Sequence, residues 1–202
     1  MIVALECPRC GAPASIDDKQ CRYCRSPIFF RSLRDLKGAS SADVERATTH
    51  FRALCKNPSS EAANAARTSL GLCYLAVGAF PLARHTFEGL ISERPEQPSA
   101  YIYKAVGLLE GRKPRTSNMR VVTEIRGLLG VARLLDESDP YPGALQAVIE
   151  FDYFGRNGLR FPPPTPHTSM KEALKRGLGV EDFSLTLSTL GLTKADIREL
   201  LN

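Results

Sequence analysis

The stretch that decides the fold runs from Ser59 to Pro98 and reads SSEAANAARTSLGLCYLAVGAFPLARHTFEGLISERPEQP. Apolar and small residues recur in it every three or four positions, which is typical of amphipathic helices. Gly78 and Pro81 interrupt this pattern near its middle. Because glycine favours the end of a helix and proline favours a first turn, the stretch predicts two helices joined by a tight turn. The second of these helices is expected to end before Pro95.

The same two helices carry the pattern of a known sequence repeat. The motif L-G-x2-Y…A-x3-F…P is matched at Leu70, Gly71, Tyr74, Ala83, Phe87 and Pro95. The stretch therefore resembles the tetratricopeptide repeat, in which paired helices stack on neighbouring pairs because one unit cannot bury its apolar face alone. The resemblance implies a groove that binds an apolar peptide or helix of a partner protein. Its candidate contact residues are Thr68, Leu72, Leu75, Ala76, Ile102, Val106 and Leu109.

Less regular helical patterns lie on both sides of this unit. We expect further helices within residues 43–58, 100–110, 121–135 and 144–154. The stretch RFPPPTPHTS, Arg160–Ser169, then favours an extended linker or a strap across the helices, because it has four prolines in five residues. Ser169 and Glu172 match a capping box and predict the start of a C-terminal helical module.

Four of the six cysteines form two Cys-x-x-Cys pairs in CPRCGAPASIDDKQCRYC, Cys7–Cys24. Zinc prefers four tetrahedral ligands in a structural site, and thiolates suit it well. The sequence thus predicts one structural zinc ion held by Cys7, Cys10, Cys21 and Cys24. An iron–sulfur site would also use four thiolates, and a redox Cys-x-x-Cys motif is a further alternative.

This N-terminal segment resembles a short zinc ribbon of the CPxCG…CxYCG kind over residues 6–29. The resemblance implies a small β-hairpin whose folding depends on the metal. Arg25 stands where the second cysteine turn of such ribbons usually has glycine, and the spacer between the pairs is short. With four protein ligands, no coordination position would be open for catalysis.

The charge distribution supports a second functional hypothesis. The 202-residue chain has a net charge of +5, and its first 37 residues carry seven Lys or Arg against four Asp or Glu. A basic ribbon with an aromatic residue could contact DNA or RNA, and the candidate residues are Arg22, Tyr23, Arg25, Arg31 and Arg34. No apolar run is long enough to span a membrane and the start lacks a signal-peptide pattern, so we expect a cytoplasmic location.

The sequence shows no motif of an enzyme. It has no nucleophile elbow or phosphate-binding loop, and its carboxylates are expected to be scattered over helix surfaces. We therefore predict a mainly α, non-catalytic adapter that binds a protein partner, and we do not expect a small-molecule substrate. The predicted regions are a zinc ribbon (1–30), a basic linker (31–42), tetratricopeptide-like repeats (43–159), a proline-rich linker (160–168) and a C-terminal helical module or cap (169–202).

Overall fold

The structure is a computed structural model that describes residues 4–6, 10, 12–15, 18, 20–25, 28–56, 61–179 and 183–201. Near the N-terminus, strands β1 (Ala4–Glu6) and β2 (Pro13–Ser15) pair antiparallel, with Leu5 opposite Ala14. The described residues form nine α-helices: α1 (Ser41–Leu54), α2 (Glu61–Ala76), α3 (Phe80–Glu93), α4 (Pro98–Leu108), α5 (Met119–Leu135), α6 (Tyr141–Glu150), α7 (Pro166–Lys175), α8 (Ser184–Thr189) and α9 (Lys194–Leu201). Shorter helical turns are a 3₁₀ helix before α1 (Leu33–Leu36), a second 3₁₀ helix (Pro114–Thr116) and a π-helical turn after α6 (Phe151–Gly155).

The helices from α1 to α7 pack in chain order, each on the next. Helix α2 also contacts α4, so these two alternate helices meet on one side of α3. This arrangement is the one expected when each repeat buries its apolar face against its neighbours. The prediction of a mainly α protein with a helical-repeat body is confirmed.

The repeat motif is explained by the packing of α2 on α3. Phe87 is fully buried, and a Cβ atom added at Gly71 would lie 2.5 Å from its ring. Glycine at this position therefore lets the phenylalanine ring reach the backbone of α2. Ala83 is also fully buried, and the Tyr103 ring of α4 lies 5.7 Å from that of Phe87. One aromatic side chain thus joins three successive helices.

The segment predicted as a basic linker is packed on the helical body. Its apolar side chains, together with those just before it, are buried: Ile28, Phe30, Leu33 and Leu36. The Phe30 N–H donates to Ser69 Oγ of α2 at 2.8 Å, and the Phe30 ring meets Phe51 of α1 edge-on at 5.2 Å. In this segment the buried apolar residues alternate with the basic residues that led to the prediction of a linker. The boundaries of the predicted regions themselves stay a prediction.

The proline-rich stretch forms a strap, and the helix after it begins earlier than predicted. Helix α7 starts at Pro166, and the Thr165 hydroxyl accepts a hydrogen bond at its N-terminus. The predicted start at Ser169 was wrong, because proline is well suited to a first helical turn and Thr165 supplies the cap. Arg126 of α5 donates to the Pro163 carbonyl at 2.9 Å, which ties the strap to the stack.

The two C-terminal helices pack on the same body. Helix α8 lies on the 3₁₀ helix Leu33–Leu36, whereas α9 packs on α6 and α7. The Phe183 ring stacks on Tyr141 of α6 with their centroids 4.7 Å apart. A single cluster of buried apolar residues runs from Ala14 and Cys21 near the N-terminus to Leu200.

Candidate functional site

Three of the four predicted metal ligands come together beside the strand pair. The Sγ atoms of Cys10, Cys21 and Cys24 all lie within 4.8 Å of one another. Cys21 is buried, Cys24 is partly buried and Cys10 is exposed, so the cluster lies at the surface with one side against the protein. Cys7, the fourth predicted ligand, lies outside the described residues.

The spacing of these thiols fits a bound metal ion. The Sγ atoms of Cys10 and Cys21 are 3.7 Å apart. A disulfide would bring two sulfurs to about 2.05 Å. In a tetrahedral zinc site with Zn–S bonds of about 2.3 Å, by contrast, the sulfurs are separated by about 3.8 Å. The three thiols could therefore hold a metal ion, and both zinc and iron–sulfur clusters use such ligands.

The turn after the second cysteine pair shows how Arg25 fits at a position where short zinc ribbons usually have glycine. The Arg25 N–H donates to the Cys21 carbonyl at 2.9 Å, which closes the turn around Cys24. Arg25 has φ 56°, in the left-handed region that glycine enters without a steric penalty. The backbone therefore keeps the conformation that a glycine would favour, and the Arg25 side chain raises the energy of that conformation.

A carboxylate organises the chain between the two cysteine pairs. The Ser15 N–H donates to Asp18 Oδ2 at 2.7 Å, and Arg22 donates to Asp18 Oδ1 at 3.2 Å. The Ser15 hydrogen bond, with help from Arg22, lowers the pKa of Asp18 although desolvation opposes it. The ionised carboxylate thus links the end of β2 to the turn that carries Cys21 and Cys24.

Most residues predicted to line a groove are buried in the core of this chain. Ala76 is exposed, but the other six are buried: Thr68, Leu72, Leu75, Ile102, Val106 and Leu109. The chain itself covers part of this region, because the 3₁₀ helix Leu33–Leu36 packs on α2 and the Leu33 backbone lies beside the Tyr103 hydroxyl. The prediction is corrected for these six side chains: they stabilise the fold and do not form an open surface.

The residues predicted to contact nucleic acid are all exposed. They are Arg22, Tyr23, Arg25, Arg31 and Arg34. Tyr23 exposes 73% of its surface, which is the second-largest exposed fraction among the large apolar and aromatic side chains described. Because Ile28, Phe30 and Leu33 point into the body, this segment presents its cations outward.

A cavity of about 580 Å³ opens beside the 3₁₀ helix. Its charged lining is mixed, with three arginines and two aspartates: Arg31, Arg34, Arg176, Asp136 and Asp139. Its lining also includes Tyr103 and Tyr141. Burial raises the pKa of Asp139, although the Tyr141 N–H donates to this carboxylate. The cavity thus combines aromatic walls with charges of both signs.

Sequence reasoning missed an exposed apolar strip on α5. Val131, Leu134 and Leu135 are exposed, and Leu134 exposes 79% of its surface. The buried face of the same helix is formed by Val122, Ile125, Leu129 and Ala132. A signal was present for Leu134, which lies two residues after Ala132 and so falls outside the three- and four-residue spacing of that buried face. Leu135 lies three residues after Ala132 and is exposed although it continues the spacing.

Sequence reasoning also missed two buried carboxylates near the end of α6. Asp152 accepts hydrogen bonds from the Arg115 backbone N–H at 2.9 Å and from its guanidinium at 3.2 Å. Glu150 accepts from the Gln146 amide at 2.8 Å and lies 3.5 Å from Arg126 Nε. Burial raises the pKa of Glu150 despite these partners. These two carboxylates are therefore buried and not on a helix surface as predicted. Each is paired with an arginine, which offsets the cost of burying its charge.

No protein-family model matches the chain, and no curated protein sequence matches it. Among solved structures, the chain is similar to the crystal structure of a thermophilic TPR protein of Thermus thermophilus. The TM-score is 0.55 and the sequence identity 18%, over 79% of this chain and 82% of that protein. This likeness shows the fold: the body is a tetratricopeptide-like stack of helices.

None of the helices in the described ranges is both long enough and apolar enough to cross a bilayer.

Proposed function

We propose that this protein is a non-catalytic adapter, in which the helical-repeat body binds a partner protein and a metal-held N-terminal module adds a second contact surface. The observation that carries this proposal is the tetratricopeptide-like stack of α1 to α7. Stacked helical repeats form extended surfaces suited to binding. The paired state of Glu150 and Asp152 supports a non-catalytic role, because both carboxylates hold neighbouring segments in place.

The metal in this proposal is one structural Zn²⁺ ion bound by Cys7, Cys10, Cys21 and Cys24. The 3.7 Å separation of two sulfurs supports tetrahedral thiolate coordination. A closed set of four protein ligands leaves no open position, so the ion would hold the module together and would not activate water. The module would then present Tyr23 and its neighbouring arginines as a rigid surface.

The adapter proposal is tested by isolating the full-length protein from its source cells after mild crosslinking. A co-purified protein must then be produced separately and the complex reconstituted from pure components at ~50 and ~200 mM salt. We expect a stoichiometric complex that persists at the higher salt, because apolar contacts are not screened as phosphate contacts are. Failure to reconstitute any protein complex would contradict the adapter function.

A second candidate function is nucleic-acid binding, and the exposure of Tyr23 favours it. Tyr23 lies between the exposed Arg22 and Arg25, so a base could stack on its ring while the guanidinium groups approach phosphates. The test is an anisotropy titration with short mixed DNA and RNA at the same two salt concentrations. Binding that falls steeply at the higher salt, and is lost when Arg22, Arg25, Arg31 and Arg34 become alanine, would establish this function. The adapter proposal expects no such binding.

A further inference from the structure

One face of the stack is covered by two other parts of the same chain. The 3₁₀ helix Leu33–Leu36 packs on α2, and the Leu33 backbone lies beside the Tyr103 hydroxyl of α4. Helix α8 in turn packs on this 3₁₀ helix, and Phe183 next to it stacks on Tyr141 of α6. We call the surface that α8 covers, formed by the 3₁₀ helix Leu33–Leu36 and by Tyr141 of α6, the covered face.

The side chains around α8 form a short amphipathic pattern that fits the covered face. Phe183, Thr186, Leu187 and Leu190 are all buried, at spacings of three, four and seven residues from the first. The Phe183 and Tyr141 rings are nearly parallel, with an interplanar angle of 14°. The hydroxyls of Thr186 and Tyr141 also form a hydrogen bond. On the outer side, Ser188 is exposed.

Helix α8 has little stability of its own. It has only six residues, which is too short for a helix to be stable on its own, so its structure depends on the surface beneath it. Gly177 (φ 91°) and Gly191 (φ 65°) lie on either side of it in the chain and provide points where the backbone can change direction. Helix α9 is held separately by α6, α7 and an ion pair between Arg156 and Glu199.

A cavity borders the 3₁₀ helix on which α8 packs. The cavity of about 580 Å³ lies between the 3₁₀ helix, the N-terminal turns of α4 and α6, and Gly177 and Leu178. Its aromatic and apolar walls include Tyr103, Tyr141 and Leu33. A second apolar segment could first contact the protein here before α8 has left the covered face.

We propose that the covered face is a docking site for an amphipathic segment of a partner protein, and that α8 is an internal occupant which this segment displaces. The partner segment would carry an aromatic residue followed by leucines four and seven residues later, as Phe183, Leu187 and Leu190 do. This inference rests on the proposed adapter function for the existence of a partner. In this proposal, the contact of α8 with the covered face regulates the binding of the partner segment.

The first test measures amide hydrogen exchange of the full-length protein under native conditions. If α8 detaches, the Leu190 N–H, which donates to the Thr186 carbonyl, exchanges at least tenfold faster than the amides in the middle of α4. Equal protection of α8 and α4 would show that α8 opens only when the whole protein unfolds. That result would overturn the proposal, and the measurement needs no variant.

The second test uses a fluorescein-labelled synthetic peptide of residues 181–193. It is titrated into the wild-type chain and into the full-length double variant Phe183→Ala, Leu187→Ala, with anisotropy as the readout. In the wild type the tethered α8 competes at an effective concentration of about millimolar. We therefore expect the peptide to bind the variant at least tenfold more tightly. Ser188→Ala, an exposed change in the same helix, should behave as the wild type does.

A peptide that carries the same two alanines should not bind either protein. The proposal is overturned if the double variant keeps its helical circular dichroism and does not bind the wild-type peptide, or if both proteins bind it equally. Should the variant fail to fold, the exchange measurement decides.

If a reconstituted partner complex forms while α8 stays protected, the adapter function survives and the partner uses another surface, such as the strip around Leu134. If the peptide behaves as expected but no partner is found, the adapter function fails alone.

Discussion

The N-terminal module and the helical body are stable for different physical reasons. Among the residues before Ile28 whose burial the structure describes, the buried apolar side chains are Ala14 and Cys21, and Cys21 is itself a candidate metal ligand. The body instead buries large side chains such as Phe87 and Leu129 completely. A segment with so little apolar burial would depend on a bound metal ion for its stability, whereas the body is stabilised by packing.

The two regions nevertheless meet in a continuous core. Cys21 and Ala14 belong to the same cluster of buried residues as Phe30, which hydrogen-bonds with Ser69 of α2. Cys24 also packs against this cluster, so the turn that carries the candidate metal ligands lies against the body. The comparison therefore predicts that loss of the metal disorders the module and leaves the stack of helices folded.

Removal of the metal has the largest expected effect. Structural zinc sites contribute on the order of 10 kcal/mol of apparent binding free energy to the segment that they hold. After chelation we expect β1, β2 and the turn at Cys24 to lose their protection in hydrogen exchange, while α2 to α6 keep theirs. Cys24→Ser should reproduce this result, and Cys55→Ser at the end of α1 is the matched control. Loss of the helical circular dichroism on chelation would show that the body also depends on the metal.

Truncation of Phe87 is expected to have the next largest effect, on the free energy of unfolding of the helical body. Removing a fully buried phenylalanine usually costs about 3–5 kcal/mol, because a cavity remains. We expect Phe87→Ala to lower the free energy of unfolding by this amount in urea denaturation. Leu134→Ala on the exposed face of α5 should change it by less than about 0.5 kcal/mol. Similar effects of the two substitutions would mean that the stack is not packed as described.

The buried carboxylate of Glu150 predicts a pH dependence of the body. Its pKa is raised in the folded state by burial, so the folded protein binds more protons than the unfolded chain. Stability should fall as the pH rises above about 4.5 and through the raised pKa of Glu150. Glu150→Gln keeps the acceptor for Gln146 and should remove this contribution, which makes the variant comparatively more stable at neutral pH. Thermal unfolding at several pH values checks this, with the exposed Glu124→Gln as control.

The smallest predicted effect concerns the turn at Arg25. Glycine would relieve a left-handed conformation that costs other residues about 1–2 kcal/mol, but it also gains up to about 1 kcal/mol of freedom in the unfolded chain. We expect Arg25→Gly to keep or modestly increase zinc affinity in a competition titration. Arg25→Ala retains the strained conformation without the charge and is the control. A tenfold loss of affinity in Arg25→Gly alone would show that the turn does not have the described conformation.

The helical body could be predicted from the sequence because its signals are local. Gly71, Ala83 and Phe87 fall at fixed spacings, and the structure explains each by the packing of α2 on α3. Gly78 and Pro81 also marked the turn between these helices, as expected from their backbone preferences. Such signals depend on residues close together in the chain.

The surfaces could not be predicted in the same way, because they depend on which distant segments pack together. Nothing local shows that Leu33 covers α2 and α4, and so Ile102 and Val106 were expected to be available to a partner. The buried positions of Glu150 and Asp152 depend on arginines that lie 24 and 37 residues earlier in the chain. The three thiols could be assigned to one metal site from the sequence only because the Cys-x-x-Cys spacing is itself a local motif.

Native mass spectrometry of the full-length protein tests the central claim most directly, namely that a metal ion holds the N-terminal module on a helical body. We predict the mass of the chain plus one zinc ion, with Cys7, Cys10, Cys21 and Cys24 protected from alkylation until a chelator is added. Cys73 should stay unreactive throughout, because burial raises its pKa to about 12. A chain without metal whose four N-terminal cysteines react at once, or a mass increase that matches iron and sulfide, would contradict the claim.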